Sequence, residues 1–125
     1  MKILAIDDNE AALNLVRNAL EQNGFTVFTT EEIFAANQII YKEQPDLILM
    51  DYNMPMLKGD RIIQILKGFQ GVQGIPIVIF SDQEPDKLEA LVQSSGADGY
   101  IPKSSVHLLA TKIEEILKNR KAANP

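Results

Sequence analysis

Cysteine is missing from this sequence, and that absence excludes three kinds of chemistry at once. There can be no disulfide framework, no thiolate metal site and no cysteine nucleophile. Histidine is almost missing as well: His107 is the only one, and it reads as a surface residue of the last helix rather than a ligand or base. Positive charge is short, with 12 Lys and Arg against 17 Asp and Glu, a net charge of -5. Phosphate contacts dominate nucleic-acid affinity, so direct binding to DNA or RNA is not expected. No apolar run reaches membrane-spanning length. Met1-Lys2 leads straight into Ile3-Leu4-Ala5-Ile6, too short for the apolar core of a secretory signal. A cytoplasmic chain with no membrane contact is therefore expected. Neither an internal repeat nor an interdomain linker is visible, and 125 residues amount to one domain with one core.

What is present is an alternation of short apolar runs with helical patterns. Lys2 to Ile6 reads as a buried strand ending in acid. Asn9 suits a helix cap, with Ala12, Leu13, Val16, Ala19 and Leu20 as the apolar face and Gly24 as the stop. Phe25 to Thr30 is strand-like. Glu31 to Glu43 reads as a helix with Phe34, Ile39 and Ile40 inward, ended by Pro45. Leu47 to Met50 is the next strand and runs into Asp51. Gly59 to Phe69 carries a stripe of Ile62, Ile63, Leu66 and Phe69, and Gly68, Gly71 and Gly74 read as a flexible loop.

Ile75 to Phe80 is a fourth strand, and Pro85 suits the first turn of a helix lined by Leu88, Leu91 and Val92 and ended by Gly96. Gly99-Tyr100-Ile101 is a last strand. Ser104 or Ser105 is the expected cap of a final helix that buries Leu109, Ile113, Ile116 and Leu117. The expected domain is 1–119, with 120–125 a disordered tail or linker stub. Strands alternating with helices in this way mean a doubly wound α/β fold, its five-stranded parallel sheet covered by helices on both faces.

Open parallel sheets place their ligand sites at the carboxyl ends of the strands. Asp7 and Asp8 follow the first strand, Asp51 the third, Ser81 the fourth and Lys103 the fifth. Taken singly, each has an ordinary explanation. An Asp pair after a strand is often a turn, a Ser there is usually a cap, and a lone Lys is usually solvated. Their joint occurrence at successive strand ends is what those explanations do not cover. Clustered carboxylates need a cation to stay ionised together. Hard oxygen ligands of this kind suit Mg²⁺, a lysine suits a phosphoryl oxygen, and a carboxylate can itself be a nucleophile.

Ile-Asp7-Asp8-Asn, Met-Asp51-Tyr-Asn-Met54-Pro55 with Gly59 downstream, Ile-Phe-Ser81 and Tyr100-Ile-Pro-Lys103 together resemble the receiver domain of bacterial response regulators, across essentially the whole chain. The resemblance implies the flavodoxin-like strand order 2-1-3-4-5. It implies a two-component signalling module that catalyses only its own phosphorylation and dephosphorylation and is not otherwise an enzyme. Asp51 stands where the phosphoacceptor stands. Asp7, Asp8 and Asp51, with the backbone carbonyl of Asn53, match the Mg²⁺ ligands. Ser81 and Lys103 match the groups that contact the phosphoryl oxygens, and Tyr100 matches an aromatic switch. The implied partners are a histidine kinase or histidine phosphotransfer protein as donor, and a downstream protein target or effector domain.

The chain departs from the family pattern in two places. Ser104 follows Lys103 where proline is frequent, and a cis bond there would be rare without proline. Asp82 follows Ser81 where a small residue is usual; it reads either as extra negative charge at the site's mouth or as a cap for the helix near Pro85.

Three rival readings stand beside this one. A degenerate receiver would dock partners without phosphate. A phosphatase of the haloacid-dehalogenase type would need its nucleophile on the first strand and an acid two residues later, where Asn53 stands after Asp51. A nucleotide-binding loop at Gly68-Phe-Gln-Gly71 would follow a helix rather than a strand, and would lack the Gly-Lys-Ser/Thr ending.

Overall fold

The computed structural model describes residues 1–51, 59–72 and 74–123. Five strands and five α-helices alternate: β1 (Lys2–Ile6), α1 (Glu10–Glu21), β2 (Thr26–Thr30), α2 (Ile33–Glu43), β3 (Leu47–Asp51), α3 (Gly59–Gly68), β4 (Ile77–Ser81), α4 (Pro85–Ser95), β5 (Gly99–Pro102) and α5 (Leu109–Ala123). All strand pairs are parallel, in the order β2-β1-β3-β4-β5. The order and the helices on both faces are those expected. Among the described residues no helix is long and apolar enough to cross a membrane.

The alternation of side chains along a strand divides the interior in two. Ile3, Ala5, Leu47, Leu49, Val78, Phe80 and Ile101 point to one face, where α1 contributes Leu13, Val16 and Leu20 and α5 contributes Leu109 and Ile113. Leu4, Ile6, Ile48, Met50, Ile77 and Ile79 point to the other, under Ile33, Ala36 and Ile40 of α2, Ile62, Ile63 and Leu66 of α3, and Leu88 of α4. Strands buried on both faces need continuous apolar runs, and β1, β3 and β4 have them.

Local signals act mostly as expected. The Asn9 side chain accepts the Ala12 N–H at 3.1 Å and caps α1. Pro85 opens α4, and Gly96, at φ 83°, ends it. No cis peptide occurs among the described residues, so the Lys103–Ser104 bond is trans. His107 is exposed, as expected.

Three expectations need correction. Phe34 does not face inward: it is 69% exposed, and the buried positions of α2 are Ile33, Ala36 and Ile40. These three follow a helical i, i+3, i+7 spacing, which Phe34 with Ile39 and Ile40 does not. The segment after α3 is not a featureless loop. Gln70–Val72 forms a 3₁₀ turn, Val72 is buried, and a Cβ on Gly71 would lie 3.2 Å from Ile40 Cγ2. Gly71 is there so that the turn can approach α2 closely. Neither Ser104 nor Ser105 caps the last helix. Lys103–Leu108 is a 3₁₀ segment with a kink at Ser105 and no side-chain cap, and α5 proper begins at Leu109. α5 itself runs through Ala123.

At the amino-terminal edge of the sheet the acids serve the backbone. Asp46 accepts the Lys2 N–H at 2.8 Å, and Asp98 accepts the Ile77 N–H at 2.9 Å. Arg120 of α5 closes this edge by donating to the Gly74 carbonyl at 2.8 Å and pairing with Asp98 at 3.6 Å. Ile63→Ala, at a fully buried position, is expected to cost about 2–5 kcal/mol. Phe34→Ser is expected to change stability by less than about 0.5 kcal/mol. Urea denaturation of both variants checks this; comparable losses would contradict the outward placement of Phe34.

Candidate functional site

The opposite, carboxyl-terminal edge is where acids gather around a lysine. Register does the assembling. Ile6 of β1 pairs with Met50 of β3, so Asp7 and Asp51, one residue further along each strand, come side by side. Asp51 pairs with Phe80, and Ser81 with Pro102, which brings Lys103 to the same rim. Asp7, Asp51 and Ser81 are buried and Asp8 is exposed.

The Lys103 ammonium lies 3.2 Å from Asp7 Oδ2 and 3.5 Å from Asp51 Oδ1. It also sits over the Phe80 ring, 5.8 Å from its centroid, a cation–π contact that the sequence reading did not anticipate. Asp7 is held further by the Asn9 N–H, donated to Asp7 Oδ1 at 2.9 Å. Asn9 thus caps α1 with its side chain and fixes the acid with its backbone. Asp7, Asp8 and Asp51 each offer one carboxylate oxygen, all within 4.8 Å of one another. Among the described residues these three carboxylates stand with one ammonium, paired to Asp7 and Asp51, so the cluster keeps net negative charge.

Burial pushes the Lys103 pKa down, but Asp51, then Asp7 with its hydrogen bond, and then Asp82 push it up, and the net result is a raised value. Lys103 therefore stays charged across the neutral range. With the folded-state value above the unfolded one, its contribution to stability is fully present below the unfolded pKa and is lost as pH rises through the folded one.

The structure brings together Asp7, Asp8, Asp51 and Lys103 of the expected set. Ser81 ends the neighbouring strand, and its hydroxyl accepts the Gln83 N–H at 3.3 Å. Tyr100 is half-buried on β5, with its Cα opposite Ile79 and its ring against the core under α2, α3 and α4. Asn53, with Met54 and Pro55, lies outside the described residues. Asp82 is exposed and does not cap α4: the cap position is Glu84, with no side-chain hydrogen bond.

A family model for the response regulator receiver domain matches residues 3–114. The chain belongs to that family, the receiver domains of two-component response regulators. It is 31% identical over 125 residues to the alkaline phosphatase synthesis transcriptional regulatory protein PhoP of Bacillus subtilis, covering 99% of this chain and 51% of that protein. It is 32% identical over 120 residues to the phosphate regulon transcriptional regulatory protein PhoB of Escherichia coli, covering 94% and 52%. The chain thus spans about half the length of these curated relatives. The solved structure of the chemotaxis response regulator CheY4 of Vibrio cholerae superposes with a TM-score of 0.77 at 22% identity, over 92% of this chain and 97% of that one, which shows the shared fold.

Without divalent cations, Asp8→Asn is expected to raise stability by on the order of 1 kcal/mol, because it relieves repulsion at the rim. Asp7→Asn is expected to gain less or to lose, since it weakens the contact with Lys103. Thermal melts in a chelator test the order, and a larger gain for Asp7→Asn would contradict the pairing.

Proposed function

We propose that this domain accepts a phosphoryl group on Asp51 from the phosphohistidine of a histidine kinase or histidine phosphotransfer protein, and that the modification changes its protein-binding surface. The observation that carries this reading is the convergence of Asp7, Asp8, Asp51 and Lys103 on one edge of the sheet.

The donor set fits a hard divalent cation, because every ligand offered is a carboxylate oxygen. Asp7, Asp8 and Asp51 would hold Mg²⁺, and the resemblance adds the backbone carbonyl of Asn53. When bound, Mg²⁺ supplies charge neutralisation at the phosphoryl oxygens. The chain's own groups do the rest. An Asp51 carboxylate oxygen forms the new O–P bond while the P–N bond to the imidazole breaks in line with it. The nitrogen leaves with the electron pair and takes a proton from solvent. Lys103, already beside Asp51, balances charge on the incoming oxygens, and the Ser81 hydroxyl hydrogen-bonds one of them. Water later hydrolyses the acyl phosphate, so the only turnover is of the domain itself.

Signalling requires only that the phosphorylated site favour one of two surface states. Tyr100, half-buried on β5 and packed against the core under α2, α3 and α4, would report that choice. The face formed by α4, β5 and α5 then meets a downstream protein target or effector domain.

Incubation with acetyl phosphate and Mg²⁺ is expected to add one phosphoryl group by intact mass, and Asp51→Asn or removal of Mg²⁺ is expected to abolish it. Equal labelling of Asp51→Asn would move the acceptor elsewhere. A wild-type chain that takes no phosphate would leave phosphate-independent docking as its role. Saturating the site with beryllofluoride is expected to shift the Tyr100 ring resonances in NMR spectra; unchanged resonances would remove Tyr100 from the switch.

A further inference from the structure

The turn between β4 and α4 carries an acid that neither the fold nor the phosphoryl transfer above employs. Asp82 follows Ser81, the last residue of β4, and is exposed. β4 and β5 run parallel and end together at the Ser81–Pro102 pair, so Asp82 and Lys103 each follow one of two paired strand ends. Among the described residues Asp82 has no structural duty in the turn. The Gln83 N–H goes to the Ser81 hydroxyl, the cap position of α4 is Glu84, and Pro85 at the helix start has no N–H to satisfy. Lys103 nonetheless feels this charge. Burial lowers its pKa, and Asp82 joins Asp51 and Asp7 in raising it.

We propose that Asp82 is a charge selector at the mouth of the phosphorylation site, slowing transfer from free anionic donors and favouring a protein donor that presents a lysine or arginine beside its phosphohistidine. The proposal rests on the reading of Asp51 as phosphoacceptor. The rim is already acidic, with Asp7, Asp8 and Asp51 clustered and Lys103 paired to Asp7 and Asp51. A small donor must bring its negative charge past Asp82 to a lysine whose field Asp82 partly offsets. A protein donor carrying a cation at that position meets attraction where the small donor meets repulsion. Such complementarity acts mainly on encounter and on rejection of wrong partners. Because Asp82 is exposed, screening limits its effect to about fivefold in rate.

The test compares wild type, Asp82→Asn and Asp82→Ala with two donors, at low salt and with Mg²⁺ saturating, following phosphoryl incorporation by intact mass. Dianionic acetyl phosphate transfers its phosphoryl group as the P–O bond breaks and acetate leaves. Monoanionic phosphoramidate does so as the P–N bond breaks and ammonia leaves with a proton from solvent. Both variants are expected to react about fivefold faster with acetyl phosphate and about twofold faster with phosphoramidate. Both differences are expected to shrink at high salt.

Acceleration by Ala but not by the equally bulky Asn would assign the effect to obstruction and overturn the proposal. Equal acceleration with both donors, or acceleration insensitive to salt, would overturn it as well. Normal labelling with no difference between the variants and wild type would overturn this proposal alone. No labelling of any form would overturn the reading of Asp51, and the selector with it.

Discussion

Carboxylates gathered at the end of a parallel sheet repel one another, and the Lys103 ammonium is what lets them stay gathered. It reaches Asp7 at 3.2 Å and Asp51 at 3.5 Å from a different strand, with the Phe80 ring beneath it. The pairing is partial: among the described residues the ammonium meets Asp7 and Asp51, while Asp8 adds a third carboxylate to the cluster. A fully neutralised cluster would hold the sheet edge more firmly but would leave no field to draw in a metal ion. The residual negative charge is the feature the proposed chemistry uses, and Lys103 sets how much of it the fold tolerates.

Everything that delivers these groups to one place is backbone register. β1, β3, β4 and β5 end within a residue or so of one another, so the residue that ends or follows each strand lands on a common rim. The other edge shows what acids do when they are structural. Asp46 and Asp98 each take a backbone N–H, and Arg120 ties Asp98 and the Gly74 carbonyl to α5. The contrast lies in the company the acids keep: at one end they terminate the sheet, while at the other Asp7 and Asp51 share a lysine and stand close to Asp8.

The strands, their parallel pairing and the acidic rim were legible because each rests on a strong local signal. Continuous apolar runs such as Ile3 to Ile6 mark strands buried on both faces, and an acid directly after such a run has to emerge at the sheet's edge. What was not legible depended on partners distant in sequence. Phe34 is apolar and helical, but only the packing of Ile33, Ala36 and Ile40 against the sheet decides that it faces out. Gly71 read as part of a flexible loop, whereas its small size answers to Ile40. Ser104 and Ser105 have the chemistry of caps, but the 3₁₀ segment from Lys103 to Leu108 delays the α-helix past them. The Lys103 contact with Phe80 had no sequence signal, because it joins two strands whose register is a property of the folded sheet.

The division of the interior by the sheet has a further consequence. Ile62, Ile63 and Leu66 share no core with Leu109 and Ile113, because the strands stand between them. Side chains that do not touch contribute to stability nearly additively. Substitutions under α1 and α5 can therefore accumulate with little effect on packing under α2, α3 and α4, and the reverse holds too. Two faces of one small domain can diverge at different rates, while the strand ends between them keep their alignment.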